Sequence, residues 1–230
     1  MAQKKLTLVR SAALLLFIGS GLMSNAQDWK SERKVNVLFG ISQVLASGFN
    51  IEVNYISNKF IFDYSHGVAL HFSGNTVTPE LRRQGVAVLM PWTTGFGIGY
   101  RITNWINIRM EPKWHRFEFY YKGDPQTINN QLSSYNTFSL GLGLYGSYQP
   151  FKYKTNFLKG FMISPSIRFW PTVGSTRKDD FTYFNKNTAK NESIPKLDPG
   201  LGFTPLVANI SLGYSFQLRS KEHQKISGSL

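Results

Sequence analysis

The segment GFGIGY, residues 95–100, places a glycine at every second position and a large apolar residue after each glycine. Successive side chains of a strand point to opposite faces, so this spacing predicts a β-strand with one nearly empty face and one bulky face. A dinucleotide-binding loop would need a third glycine where Tyr100 stands. The formal match GLGLYG at 141–146 is followed by SYQP, which does not begin a helix, so neither segment predicts nucleotide binding.

The same alternation recurs along the chain and predicts eight strands. Apart from the first, the odd-numbered connections are long and the even-numbered ones shorter, as in an antiparallel up-and-down barrel with both termini at one end. The apolar set changes parity beside Pro112, which predicts a β-bulge there, and residues 85–90 form either an extra strand segment or part of the third connection. The predicted strands are 35–41, 49–55, 60–72, 95–101, 106–121, 138–144, 161–169 and 208–218.

Charged residues share the face of the strands that carries glycine and serine. In a narrow membrane barrel this face must point inward, because a charge on the lipid side at mid-depth costs about 2–4 kcal/mol. The interior of eight strands is just wide enough for side chains, so paired charges are expected to fill the lumen and not to line a pore. In a soluble lipocalin-like carrier of an apolar ligand, the same charges would face water. The predicted lumen charges are Glu52, Asp63, Arg101, Arg109, Glu111, Lys113 and Arg168.

The N-terminus reads as a secretory signal peptide, residues 1–26. A basic start precedes the apolar run 11–23, and small residues at Ser24 and Ala26 predict cleavage before Gln27. Loss of three cations with this leader lowers the formal net charge from +13 to +10. An exported basic chain meets anionic lipid before nucleic acid, so no nucleic-acid partner is expected. The chain has no cysteine and hence no disulfide or lipid-modified thiol.

The last predicted strand carries Ser211, Gly213, Phe216 and Leu218, a polar residue, a glycine and two large apolar residues at the spacing of an outer-membrane assembly signal. With this signal, the alternating strands and the leader, the chain resembles the small outer-membrane β-barrel proteins of the OmpA/OmpX type. The resemblance implies a transmembrane β-barrel over residues 27–218, the outer membrane as location, the barrel-assembly machinery as partner and a monomeric state. A short polar tail, 219–230, follows the signal, which usually closes the chain.

A possible enzyme signature lies at His71-Phe72-Ser73-Gly74-Asn75, where His71 and Ser73 would point the same way on a strand. It is similar to the His-x-Ser-Asn motif of lipid A deacylases, but a glycine precedes Asn75, and the motif comes in the third strand where that family has it late in the chain. No carboxylate can be assigned as the third residue, and Glu80 would be a guess. None of the four histidines has zinc-site spacing. We therefore expect a polar strand end, with no catalysis, cofactor or metal, and keep the lipid A-modifying enzyme as the alternative.

The long loops are the expected location of function, which we predict to be structural, adhesive or ligand-contacting. They are rich in cations, which suit the phosphates of surrounding lipopolysaccharide or simply solvation. Tryptophans near strand ends, Trp92, Trp105, Trp114 and Trp170, are expected in an interfacial belt. The loop cations are Arg82, Arg83, Lys122, Arg177, Lys178, Lys186, Lys190 and Lys196.

Overall fold

A computed structural model describes residues 32–218, so the predicted signal peptide and the polar tail lie outside the described residues. Eight antiparallel strands form a closed ring in which neighbours in sequence are neighbours in space and the last strand pairs with the first. Three short strands lie in the connection before the last one. In chain order the strands are β1 (Arg33–Gly40), β2 (Phe49–Ser57), β3 (Phe60–Phe72), β4 (Val86–Arg101), β5 (Ile106–Tyr121), β6 (Gln131–Gly146), β7 (Phe161–Phe169), β8 (Thr172–Ser175), β9 (Phe181–Asn185), β10 (Lys190–Ile194) and β11 (Leu206–Gln217).

The connections differ at the two ends of the ring. The end that holds the start of β1 and the end of β11, the termini end, carries connections 58–59, 102–105 and 147–160. The opposite end, the cap end, carries two one-turn helices and the β9–β10 hairpin. Here β8 pairs with β6, on the cap side of the last residue of β7. No helix among residues 32–218 has the length and hydropathy needed to cross a membrane. The helices are α1 (Ile41–Leu45) and α2 (Pro79–Arg83), and single 3-10 turns lie at Gly74–Thr76, Ile128–Asn130, Phe157–Gly160 and Leu201–Phe203.

The register corrects two expectations from the sequence. Residues 86–90 are neither a separate strand nor a loop, because they begin β4 itself. The predicted bulge at Pro112 is wrong, since β5 keeps one register with β6 from Ile106 to Phe119. The irregularity lies instead in β4, where the pairing with β5 shifts between Leu89 and Thr93. It turns the even-numbered residues at the start of β4 inward.

The outside of the barrel is apolar. On β5 the outward residues run from Ile106 to Trp114, eight residue steps, or about 26 Å along the strand. With a tilt of about 40° this corresponds to about 20 Å of membrane depth, most of the apolar band of an outer-membrane barrel. Above it, Arg116 and Glu118 form an ion pair. The predicted eight-stranded antiparallel barrel is confirmed, and at the level of the apolar band it encloses charged side chains, where a lipocalin would enclose apolar ones. Exposed outward side chains include Phe62, Tyr64, Phe96, Ile98, Met110, Leu142, Ile167, Ile210 and Phe216.

The three glycines of GFGIGY make room for charged side chains inside the barrel. A Cβ on Gly95 would collide with Lys113, and one on Gly97 with the carboxylate of Asp63. A Cβ on Gly99 would lie 2.7 Å from Cγ of Arg109 and 2.7 Å from the carbonyl oxygen of Ile108. The empty face of this strand is therefore the space that its neighbours' charges occupy.

A Gly99→Val variant should lower the free energy of unfolding by about 1–3 kcal/mol, because a side chain there overpacks the lumen and collides with backbone. The measurement is a denaturant titration of the detergent-folded barrel. The matched control is Ile98→Val, one residue away on the exposed outer face, which should change stability by less than about 1 kcal/mol. Equal effects of the two substitutions would contradict this account.

Candidate functional site

The seven charged residues predicted to face the lumen are all buried inside the ring. They divide into two groups. Arg101 lies at the termini end, and the other six form what we call the lumen cluster. Three cations and three carboxylates balance within the lumen cluster, which comprises Glu52, Asp63, Arg109, Glu111, Lys113 and Arg168.

Arg109 of β5 is the centre of the lumen cluster. Its Nη1 donates to Oε1 of Glu52 at 2.7 Å and lies 3.4 Å from Oδ2 of Asp63, so one guanidinium joins β2, β3 and β5. Its Nε donates to Oδ1 of Asn107 at 2.8 Å. The guanidinium carbon also lies 4.0 Å from the ring centroid of Tyr145 on β6. A charge-assisted network thus connects the strands across the lumen.

Arg101 belongs to a separate group at the termini end. Its Nη2 donates to Oε2 of Glu32 at 2.9 Å, and Nζ of Lys34 lies 3.2 Å from the same oxygen. Glu32 directly precedes β1, and its Oε1 accepts a hydrogen bond from Gln217 of β11. This group therefore joins the first and last strands where the ring closes.

Trp170 covers the lumen cluster, and its predicted place in an interfacial belt is wrong. The side chain is buried, and its indole Nε1 donates to Oε2 of Glu111 at 3.0 Å. Lys113 Nζ lies 4.2 Å and the Arg168 guanidinium carbon 4.8 Å from the indole ring centroid. A Cβ on Gly141 would collide with the indole, so this glycine admits it. Trp170 is the first residue after β7. Because the alternation of the strand ends before it, the sequence does not indicate that its side chain points into the barrel.

Beyond Trp170, toward the cap end, the interior is apolar. The inward side chains change from charged to aromatic along β5, since Lys113 and His115 are followed by Phe117 and Phe119. Helix α2 contributes Leu81 to the same cluster. We call this cluster, which fills the ring at the cap end, the cap core. It consists of Leu70, Val77, Leu81, Val86, Val88, Met90, Phe117, Phe119, Tyr135, Ile194, Leu197 and Phe203.

Several of the loop cations make contacts within the cap, by which we mean the connections at the cap end. Arg83 of α2 makes two hydrogen bonds, 2.8 and 2.9 Å, to the carboxylate of Glu192 on β10, and these bonds hold the pKa of that carboxyl below its usual range. Lys186 pairs with Asp124 at 3.1 Å. The Arg177 guanidinium carbon lies 4.1 Å from the ring centroid of Tyr135.

Four loop lysines, in contrast, are exposed, and their side chains make no hydrogen bond or ion pair within residues 32–218. Exposed apolar side chains lie on the same end, among them Ile128 and Phe184. The cap surface thus offers cations and apolar contacts on a folded support. The four lysines are Lys122, Lys178, Lys190 and Lys196.

The possible catalytic residues lie at the cap end of β3. His71 is half-buried, and its backbone N–H donates to the carbonyl of Ala46. The backbone N–H of Ser73 donates to Oγ1 of Thr76 in the turn that follows. Within the described range, no hydrogen bond joins the His71 and Ser73 side chains, and no three His, Asp or Glu residues are grouped as metal ligands would be.

The four residues of the predicted assembly signal lie on β11 and just after it. Ser211 is buried on the inner face, whereas Phe216 and Leu218 are exposed. Gly213 packs directly on the carbonyl oxygen of Val37 in β1, so a Cβ there would collide at the seam of the ring. Recognition by the assembly machinery stays a prediction.

Comparison with known proteins gives structural similarity only. No family model and no curated protein sequence matches the chain. The N-terminal β-barrel domain of Pseudomonas aeruginosa OprF is 9% identical, with 81% of this chain and 98% of that chain covered and a TM-score of 0.40. A major outer membrane protein from Thermus thermophilus is 12% identical, with 81% and 99% covered and a TM-score of 0.41.

A third similar structure is Ail, the attachment invasion locus protein of Yersinia pestis, solved in complex with the heparin analogue sucrose octasulfate. It is 13% identical, with 80% of this chain and 99% of that chain covered and a TM-score of 0.39. Identities and TM-scores at this level transfer no ligand or activity. The barrel is established by the strand pairing of this chain.

An Arg109→Met variant should lose about 3–5 kcal/mol of folding stability, because Glu52 and Asp63 are left buried without their cation. Adding Glu52→Gln and Asp63→Asn to that variant should restore part of the loss. The matched control is Arg116→Met, which removes an ion pair on the outer surface and should cost about 1 kcal/mol or less. Denaturant titrations of the four proteins in detergent measure these differences, and a neutral Arg109→Met would disprove the proposed role of the cluster.

An Ile194→Ala variant should loosen the β9–β10 hairpin, because it deletes a fully buried side chain of the cap core at a cost of about 2–5 kcal/mol. Trypsin should then cut faster at Lys186 and Lys190, while the ring keeps its resistance to unfolding in detergent. Phe184→Ala, on the same hairpin but 66% exposed, is the control and should leave the cleavage rate unchanged. Equal cleavage of the two variants would mean that the hairpin is not held by the cap core.

Proposed function

We propose that the protein is an outer-membrane barrel that holds a rigid cap at the cell surface as a structural, adhesive or ligand-contacting platform. The observation that carries this proposal is the filled interior: a charge-balanced lumen cluster, Trp170 above it and an apolar cap core above that. A cavity of about 50 Å³ beside Lys113, His115 and Trp170 has room for only a few water molecules. A filled interior favours a role of the barrel as a support for the cap over a role in transporting solutes.

The two faces of the ring support the proposed location. An exposed apolar band around the strands is an aggregation hazard in water and a requirement in lipid. The proposal places the termini end in the periplasm and the cap end outside the cell. This orientation puts the folded hairpin and α2 where a surface ligand can reach them.

The cap suits binding because its fold does not use all of its cations. Arg83, Arg177 and Lys186 stabilise it internally, which leaves Lys122 and Lys190 among the exposed lysines for anionic groups. The phosphates of neighbouring lipopolysaccharide match this charge. A rigid support also limits the conformational entropy lost when a ligand binds.

A non-catalytic role is part of the proposal. Its support is that, within residues 32–218, no hydrogen bond joins the side chains of His71 and Ser73, which a base and nucleophile pair would require. Ser73 begins a tight turn, and Glu80 lies in the separate helix α2. These residues are accounted for by the end of a strand and the loop after it.

The test combines cell fractionation, gel mobility and conductance. The protein should be found in the outer-membrane fraction, migrate faster before boiling in detergent than after it, and produce no stepwise conductance in planar bilayers. Each result has a physical cause, namely the apolar exterior, the closed ring and the filled lumen. Protein in the soluble fraction without a mobility shift would contradict the membrane location, and discrete conductance steps would contradict the platform role.

A further inference from the structure

The connection between β6 and β7, residues 147–160, is unusual for the termini end of a barrel. We call it the inner loop. Turns at this end of outer-membrane barrels are short, and the other two here span only 58–59 and 102–105. The inner loop contains Lys152, Lys154 and Lys159 and no acidic residue. A loop that served only to join two strands would need neither this length nor an excess of lysines.

Exposed aromatic rings lie between these lysines. Phe157 is 77% exposed and Tyr153 72% exposed, and Tyr148 and Phe151 are also exposed. Nζ of Lys152 lies 4.7 Å from the ring centroid of Tyr153. Such rings alternating with lysines are typical of segments that lie in the interface between water and lipid.

The inner loop packs against the lipid-facing side of the ring. Phe151 contacts the ring of Phe161, the first residue of β7, with centroids 6.0 Å apart. The hydroxyl of Tyr214 on β11 donates to the carbonyl of Phe157 at 2.8 Å, and Tyr214 contacts Phe216 at 4.7 Å. These three strand residues point outward, opposite the buried Met162 and Ser215. The aromatic surface of the loop is therefore continuous with the apolar band.

We propose that the inner loop lies in the headgroup layer of the inner leaflet and binds anionic phospholipid. Phe151 and Phe157 would reach the acyl boundary, while the three lysines contact phosphate groups. The charge of the loop favours anionic over zwitterionic headgroups, since a row of lysines is attracted to a negative surface and has no acid within the loop to pair with. This inference rests on the proposed membrane location of the barrel.

The chain has no cysteine, so one introduced cysteine can carry a single fluorophore. We would label a Phe157→Cys variant, fold it into vesicles of phosphatidylcholine with or without phosphatidylglycerol, and measure quenching by nitroxide groups on the lipids. The control is Ile128→Cys at the cap end, where the native side chain is also 77% exposed. We expect about twofold stronger quenching at position 157 than at 128, and a further rise at 157 with phosphatidylglycerol.

The charge requirement is tested by Lys152→Gln, Lys154→Gln and Lys159→Gln combined in the Phe157→Cys chain. This change should abolish the rise caused by phosphatidylglycerol. The matched control combines Lys122→Gln, Lys178→Gln and Lys190→Gln at the cap end and should leave the rise intact. A rise that survives loss of the inner-loop lysines would overturn the assignment of anionic phospholipid.

The same vesicles separate failure of this inference from failure of the proposed location. If the protein shows its mobility shift in both vesicle types but the label at 157 is quenched no more than that at 128, the inner loop stays in water. The inference is then wrong and the membrane barrel stands. If no folded species forms in either vesicle type, the proposed location fails and the inference fails with it.

Discussion

The lumen of an eight-stranded barrel must be filled with side chains whose charges cancel. Arg109 is the side chain on which this arrangement depends, because its one guanidinium contacts Glu52 and Asp63 on two other strands. The glycines of β4 provide the space that these groups need. The side chains that pair the charges also fill the cross-section of the barrel. One set of residues therefore provides both the packing and the charge balance of the lumen.

The strand-level organisation could be predicted because it follows from a local rule. Alternation of side chains along a strand gave eight strands, their direction and the inward face of residues such as Asp63 and Lys113. The empty positions in GFGIGY were recognised, but the partners that occupy them come from β3 and β5. Pairing of that kind joins residues far apart in sequence and cannot be read from a single strand.

The errors at Pro112 and Trp170 concern places where the interior changes from charged to apolar side chains. The change of parity of the apolar residues beside Pro112 suggested a bulge, yet β5 continues and the surroundings of its inner face change from lumen to cap core. Trp170 directly follows a strand, as a residue of an interfacial belt would. Its side chain lies inside the barrel because Gly141 leaves room for the indole and Glu111 accepts its hydrogen bond. Arg83 and Arg177 could not be separated from exposed loop cations, because their partners lie in other connections.

The cap core combines side chains from three distant parts of the chain, exemplified by Leu81, Phe119 and Ile194. Contacts of such wide sequence separation form only after long loops have closed. Assembly therefore has an intrinsic order. The cap core packs after the strands that carry its three segments have come together. Its packing is therefore a late and cooperative step of folding, with which the native protein is complete.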